Sequence, residues 1–167
     1  MEEDEFEKYR NSDGAIDWGK RAMDQLQKEQ LSIISDKSKK SKQLEELSIY
    51  QLADSFSDKV WDLAVKWSFF EKKTLGDQFV RAADSIAANI AEGYGRYFFG
   101  EYCVFLYYSR GSLYECKLWL EKARKRLLIG DNSYKEMREM LDRLAMEINK
   151  VIKIVKGEQY KWKGRPR

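Results

Sequence analysis

Residues 78–96 read Gln78-Phe79-Val80-Arg81-Ala82-Ala83-Asp84-Ser85-Ile86-Ala87-Ala88-Asn89-Ile90-Ala91-Glu92-Gly93-Tyr94-Gly95-Arg96, and their spacing decides the fold. At 100° per residue, Phe79, Ala82, Ala83, Ile86 and Ile90 fall within an arc of about 100°. Val80, Ala87 and Ala91 make a second apolar strip roughly 90° further round. This predicts a helix packed against more than one neighbour, because small residues on two sides let backbones approach closely. Gln78, Arg81, Ser85, Asn89 and Glu92 share the polar side, with Asp84 beside it. Arg81 precedes Asp84 by three residues and Ser85 by four, spacings that meet on a helix surface. Arg81, Asp84, Ser85, Asn89 and Glu92 are therefore expected to form a structural polar network; a solvated face and a ligand site are the weaker readings. Gly93 is placed to cap the helix in a left-handed conformation, and Gly95 and Gly100 to loosen the chain after it.

Upstream, residues 44–70 carry Ile49, Leu52, Ala53, Phe56, Val60, Leu63, Ala64, Trp67 and Phe70 on one arc of about 120°, a core stripe. Tyr50, Trp61 and Val65 lie outside it as candidate interface residues. Residues 72–76 read as a turn. Downstream, residues 100–128 predict a third helix whose core arc holds Tyr102, Phe105, Leu106, Ser109, Ser112, Leu113, Cys116, Leu120, Ala123 and Leu127. Nearly opposite lie Tyr107, Tyr114 and Leu118, flanked by Val104 and Gly111. A helix with two apolar faces is usually sandwiched, and the simplest second partner is another copy of the chain. Gly111 in mid-helix costs about 1 kcal/mol relative to alanine, which suggests close backbone contact on that face. Tyr107, Gly111, Tyr114 and Leu118 are thus the expected oligomer interface.

Gly130-Asp131-Asn132-Ser133 is a turn, with Asn132 or Ser133 as N-cap. A fourth helix follows over residues 134–156, with Met137, Leu141, Leu144, Ala145, Ile148, Val151, Ile152 and Val155 on one face, and Gly157 is expected to end it. Four helices joined by short turns predict an all-α, antiparallel up-down-up-down four-helix bundle over residues 44–156. Residues 1–43 comprise an acidic segment, an extra N-terminal amphipathic helix over 16–35 and a Lys/Ser linker. Residues 157–167 form a basic tail.

At 167 residues with a single proline, Pro166, the chain suits one domain of long helices plus an extension. The charged fraction is 35% but the net charge only +3, so the distribution says more than the sum. Residues 1–13 hold Glu2, Glu3, Asp4, Glu5, Glu7 and Asp13 against Lys8 and Arg10. Residues 150–167 hold Lys150, Lys153, Lys156, Lys161, Lys163, Arg165 and Arg167 against Glu158. This asymmetry invites a polyanion partner. No signal peptide and no apolar run of membrane-spanning length appear, which predicts a soluble, cytoplasmic protein with no membrane partner. Cys103 and Cys116 stand thirteen residues apart on one predicted helix, about 20 Å along its axis, too far for a disulfide, and read as small buried hydrophobes.

The chain has no histidine. Histidine-activated nucleophiles and the usual zinc sites are excluded, as are the Glu-x-x-His pairs of di-metal bundles. No phosphate-cradling glycine loop or dinucleotide fingerprint occurs. Carboxylate-only catalysis through Asp84 and Glu92 is the weakest reading, so no catalytic residue, cofactor or metal is expected. What remains is basic residues interleaved with aromatics: Arg96, the cluster Lys122, Arg124, Lys125 and Arg126, and the tail from Lys156 through Lys161 and Lys163. Phosphate contacts from such groups are sequence-indifferent and salt-sensitive.

Two motifs in order, Gln78-x-x-Arg81-Ala82-Ala83-Asp84-Ser85-Ile86-x-x-Asn89-Ile90-Ala91-Glu92-Gly93-x-Gly95-Arg96 and Ser109-Arg110-Gly111-Ser112-Leu113-x-Glu115, resemble those of the bacterial four-helix-bundle proteins encoded by intervening sequences of large-subunit ribosomal RNA genes. The resemblance spans roughly residues 47–155. That family is similar in fold to the accessory variability protein of diversity-generating retroelements, a pentameric ring whose basic surface engages a reverse transcriptase and RNA. The resemblance therefore implies a homo-oligomer, with a pentamer as its pattern, and RNA or a nucleic-acid enzyme as partner. The expected function is a non-enzymatic homo-oligomeric scaffold that binds RNA or such an enzyme through basic surfaces. The alternative is a protein–protein interaction module with no nucleic-acid affinity.

Overall fold

A computed structural model describes residues 43–96 and 98–163, the last five of them by backbone alone. The expected N-terminal helix and linker lie outside the described residues. Four long helices account for most of the rest: α1 (Ser48–Ala64), α2 (Asp77–Tyr94), α3 (Phe99–Lys125) and α4 (Asp131–Lys163). No strand occurs among the described residues. Each consecutive pair packs together, and α4 returns to contact α1. The core is apolar and fully buried along Phe56, Val60, Phe79, Ile86, Ile90, Leu106, Leu113, Leu120, Leu141, Leu144 and Ile148. These residues recur at three- and four-residue steps, so each helix forms by covering one stripe with its neighbours' stripes.

The seam between α2 and α3 is the tightest. Gly93 lies inside α2, without the left-handed conformation expected of it, and α2 runs on to Tyr94. A Cβ at Gly93 would meet the Phe105 Cβ and the Tyr102 ring, each at 2.8 Å. Its missing side chain is what lets α3 approach. The Ser109 hydroxyl, fully buried, donates to the Ile86 carbonyl at 3.0 Å, which explains a serine on the core arc. Between α3 and α4 the paired residues step in opposite senses: Arg110 reaches Asn149, Lys117 reaches Asp142, and Glu121 reaches Arg138.

Helix ends depart from the expectations at several points, among them the start of α4, which opens at Asp131 and so takes the expected N-caps Asn132 and Ser133 into the helix. First, α1 stops at Ala64 rather than running to residue 70, and the chain turns over residues 65–68. Trp67 tucks in with its indole N–H donating to the Leu128 carbonyl at 2.9 Å, and that bond turns the backbone away from the helix axis. Phe70, expected in the core, is 71% exposed. Second, residues 72–76 are no turn: a short helix, Phe69–Glu71, passes through a π-helical stretch, Lys72–Gly76, straight into α2. Leu75 within it is fully buried, and its burial holds the wider turn in place. Third, α4 continues through Gly157 to Lys163, because Ile152, Ile154 and Val155 keep the helix packed up to the glycine, which has an ordinary helical conformation.

Leu127 was also expected on the core arc, yet it is 90% exposed. The end of α3 forms a Schellman closure: the Leu128 N–H bonds the Ala123 carbonyl and the Leu127 N–H bonds that of Arg124. Leu127 takes the left-handed position with φ 59°, where glycine is usual, and is thereby swung off the helix arc.

Candidate functional site

The polar side of α2 separates into local pairings. Arg81 turns back to Asp77 at 3.2 Å, four residues earlier, instead of forward to Asp84 and Ser85. Helical spacing permits either partner, and Asp77 is the carboxylate one turn back. Asp84 accepts a hydrogen bond from Ser57 of α1, tying the two helices together. Asn89 donates to the Ser85 carbonyl at 2.6 Å, and Glu92 pairs with Arg96. The five residues expected to form one network therefore serve separate roles, and only Asp84 bonds another helix.

The basic candidates fall into two groups. Arg96 lies over the Phe105 ring at 4.7 Å and Lys156 over the Tyr107 ring at 5.4 Å, so both sit against the N-terminal part of α3. Lys161 and Lys163 follow on α4, with side chains outside the described residues. Lys122, Arg124, Lys125 and Arg126 stand at the other end of α3, about 25 Å away along its axis. Arg124 is held by Glu121 at 3.5 Å and stacks on Tyr134 at 4.8 Å. Lys122, Lys125 and Arg126 form no ion pair among the described residues. The C-terminal helix dipole favours these cations and so holds positive charge at this end without a carboxylate.

Sequence periodicity missed what accompanies that second group. Leu127 belongs to the same helix end, and the Trp67–Leu128 hydrogen bond brings the Phe69–Gly76 stretch beside it. Phe69 and Phe70 are 76% and 71% exposed there. Lys73 lies over the Phe69 ring at 5.4 Å. A recess of about 350 Å³, lined by Trp61, Ala64, Val65, Lys72, Gly76, Asp77 and Val80, opens alongside. The Ser68-x-x-Glu71 spacing, a capping-box pattern just before this stretch, is the signal that could have located it.

On the outward side of α3, Tyr114 and Leu118 are exposed, Tyr107 is half-buried, and Val104 and Tyr108 extend the strip. A Cβ at Gly111 would meet nothing within 4 Å. Its absence is unexplained by any contact among the described residues, the reverse of Gly93. Cations border the strip: Arg110 lies over Tyr107 and Lys117 over Tyr114.

Between α3 and α4, Tyr134 donates to Glu121, and this hydrogen bond, aided by Arg124 and Arg138, holds the Glu121 carboxyl below the usual carboxylate range. Lys117 at 2.5 Å does the same for Asp142, with Arg138 assisting. Both carboxylates are engaged with cations rather than poised for proton transfer. Cys103 and Cys116 are buried and free, and burial pushes both thiols up, so they stay protonated. Among the described residues no group of three or more carboxylates and cysteines is placed to hold a metal, and no helix is long and apolar enough to cross a membrane.

Comparison with known proteins bears on this architecture. A crystal structure of a protein of unknown function from the S23 ribosomal protein family of Bacteroides thetaiotaomicron superposes with a TM-score of 0.57 and 18% sequence identity, covering 63% of this chain and 98% of that one. At that identity the likeness speaks for the fold alone. No curated protein matches. The family model of the 23S rRNA-intervening sequence protein matches residues 45–150, which span α1, α2, α3 and most of α4, both quoted motifs included. The chain belongs to the 23S rRNA-intervening sequence protein family.

Proposed function

We propose that this chain is a non-enzymatic, homo-oligomeric scaffold of the cytoplasm whose antiparallel up-down-up-down bundle binds RNA through the basic end of α3. The observation that carries the reading is the run of cations in the last turn of α3. Lys122, Lys125 and Arg126 stand within five positions of one another and lack a carboxylate partner among the described residues, with Arg124, held by Glu121, between them. Unpaired cations grouped at one helix end suit a polyanion, since each phosphate contact releases counterions. Repetition of the cluster around an assembly multiplies the field.

Self-association is supported by the exposed strip around Gly111, whose open space fits an approaching backbone from a second copy. A ring of five is the pattern implied by the resemblance, and a nucleic-acid enzyme such as a reverse transcriptase is the protein partner that a basic scaffold of this kind would serve. The test is mass by light scattering across a salt series, with and without a structured RNA. An oligomer that gains RNA at low salt and sheds it at high salt is the expected result. An oligomer indifferent to RNA would leave the protein–protein module as the better reading, and a monomer would remove the role given to Tyr107, Gly111, Tyr114 and Leu118.

A further inference from the structure

The end of the bundle that carries the unpaired cations also carries the most exposed apolar side chains of the described residues: Leu127, Phe69 and Phe70. A purely electrostatic surface for duplex RNA has no use for them. Leu127 is held out in a left-handed conformation that an L side chain rarely adopts, so the exposure is fixed by backbone geometry and not by a loose side chain. Phe69 and Phe70 are presented by a short helix feeding a π-helical turn, a geometry that recurs at functional sites.

We propose that this end binds single-stranded RNA, with unstacked bases laid on Phe69 and Phe70 and the backbone phosphates met by Lys72, Lys125 and Arg126. The proposal rests on the RNA reading above and specifies its substrate class. Single-stranded RNA offers apolar base faces and phosphates along the same strand, and proteins that hold it combine aromatic platforms with cations. A duplex keeps its base faces stacked inside and would leave Phe69, Phe70 and Leu127 in water. Lys72 forms no ion pair among the described residues and lines the Trp61–Val80 recess, and so sets charge beside a largely apolar hollow.

The experiment uses the full chain and fluorescence anisotropy with a labelled oligouridine and a labelled RNA duplex of equal length, at two salt concentrations. The proposal expects tighter binding to the single strand. Phe69→Ala with Phe70→Ala should lower single-strand affinity roughly tenfold or more and leave duplex affinity unchanged, because each lost stack removes base contact only. Lys125→Glu with Arg126→Glu should lower both affinities and flatten the salt dependence. Leu127→Gly keeps the helix closure and should give a smaller single-strand loss, a check that does not depend on how the phenylalanine variant folds. RNA binding that persists unchanged in the phenylalanine variant overturns the proposal while sparing the RNA reading. Absence of binding to either RNA at low salt overturns both. A change of mass in the phenylalanine variant, with RNA affinity retained, makes the patch a subunit contact and also overturns it.

Discussion

Two glycines in long helices, Gly93 and Gly111, separate the inside of this molecule from its outside. At Gly93 a methyl group would run into Phe105 and Tyr102 of the next helix, so the residue is explained by a contact within the chain. At Gly111 there is open space and nothing for the missing side chain to accommodate. The same residue type has a reason among the described residues in one place and lacks it in the other, where mid-helix position costs it about 1 kcal/mol. What a chain does not explain by its own packing is where a partner is to be sought.

The sharpest way to break the comparison is to add the methyl groups. Gly93→Ala should cost about 1–3 kcal/mol of overpacking against the Tyr102 ring and the Phe105 Cβ, reduced by the better helix propensity of alanine. Urea denaturation should therefore show a lower midpoint with unchanged slope; an unchanged or higher midpoint would mean that α3 retreats freely and that the seam is not tight. Ser109→Ala, at the same seam, should cost about 1 kcal/mol by removing the buried bond to Ile86, while the helix bonds of that carbonyl remain.

On the outside the sign reverses. Leu127→Gly should stabilise the chain by about 1 kcal/mol, since glycine takes the left-handed position at no steric cost. A higher thermal midpoint is the readout, and a fall would show that the leucine side chain contributes packing that its exposure conceals. Gly111→Ala should raise the stability of the single chain by about 0.5–1 kcal/mol and, if a second copy approaches there as proposed, lower the mass measured by light scattering at a fixed concentration. Higher stability with the mass untouched would return the outward strip to solvent.

The core was legible because period is a global property of a helix. Phe79, Ile86 and Ile90, or Met137, Leu141, Leu144 and Ile148, repeat often enough that no single residue decides the reading. Ends were less legible, because a few local contacts settle each of them. Phe70 falls on the arc of Ile49 and Phe56, and periodicity carries it into the core; the Trp67 indole bonding Leu128 takes it out. Leu127 likewise fits the arc of Leu113 and Leu120, but the closure of α3 begins one residue earlier. The basic candidates were found by composition, which says nothing of which end of a bundle a residue reaches. That is why Arg96 and Lys125, alike in sequence terms, stand at opposite ends of α3. Arg81 met Asp77 and not Asp84, since helical spacing permits both directions and Asp84 is taken by Ser57 of α1.

The smallest effect concerns the seam between α3 and α4, where the pairings are partly exposed and solvent screens them. Glu121 and Asp142 both have carboxyls held below the ordinary range by hydrogen bonds from Tyr134 and Lys117. A carboxylate lowered in the folded state stabilises the fold above its unfolded value of about 4, and that contribution is lost as pH falls towards the lowered folded value. The urea midpoint should thus decline slightly between about pH 5 and pH 3. Asp142→Asn should flatten part of that decline while leaving the single-strand preference as it is, because Asp142 bonds Lys117 and Arg138 and no residue of the Phe69–Phe70 end. A variant that keeps the full decline would place the acid sensitivity in other carboxylates. One that changes the mass would show that the Asp142–Lys117 pair, which borders Tyr114, helps to order the outward strip around Gly111.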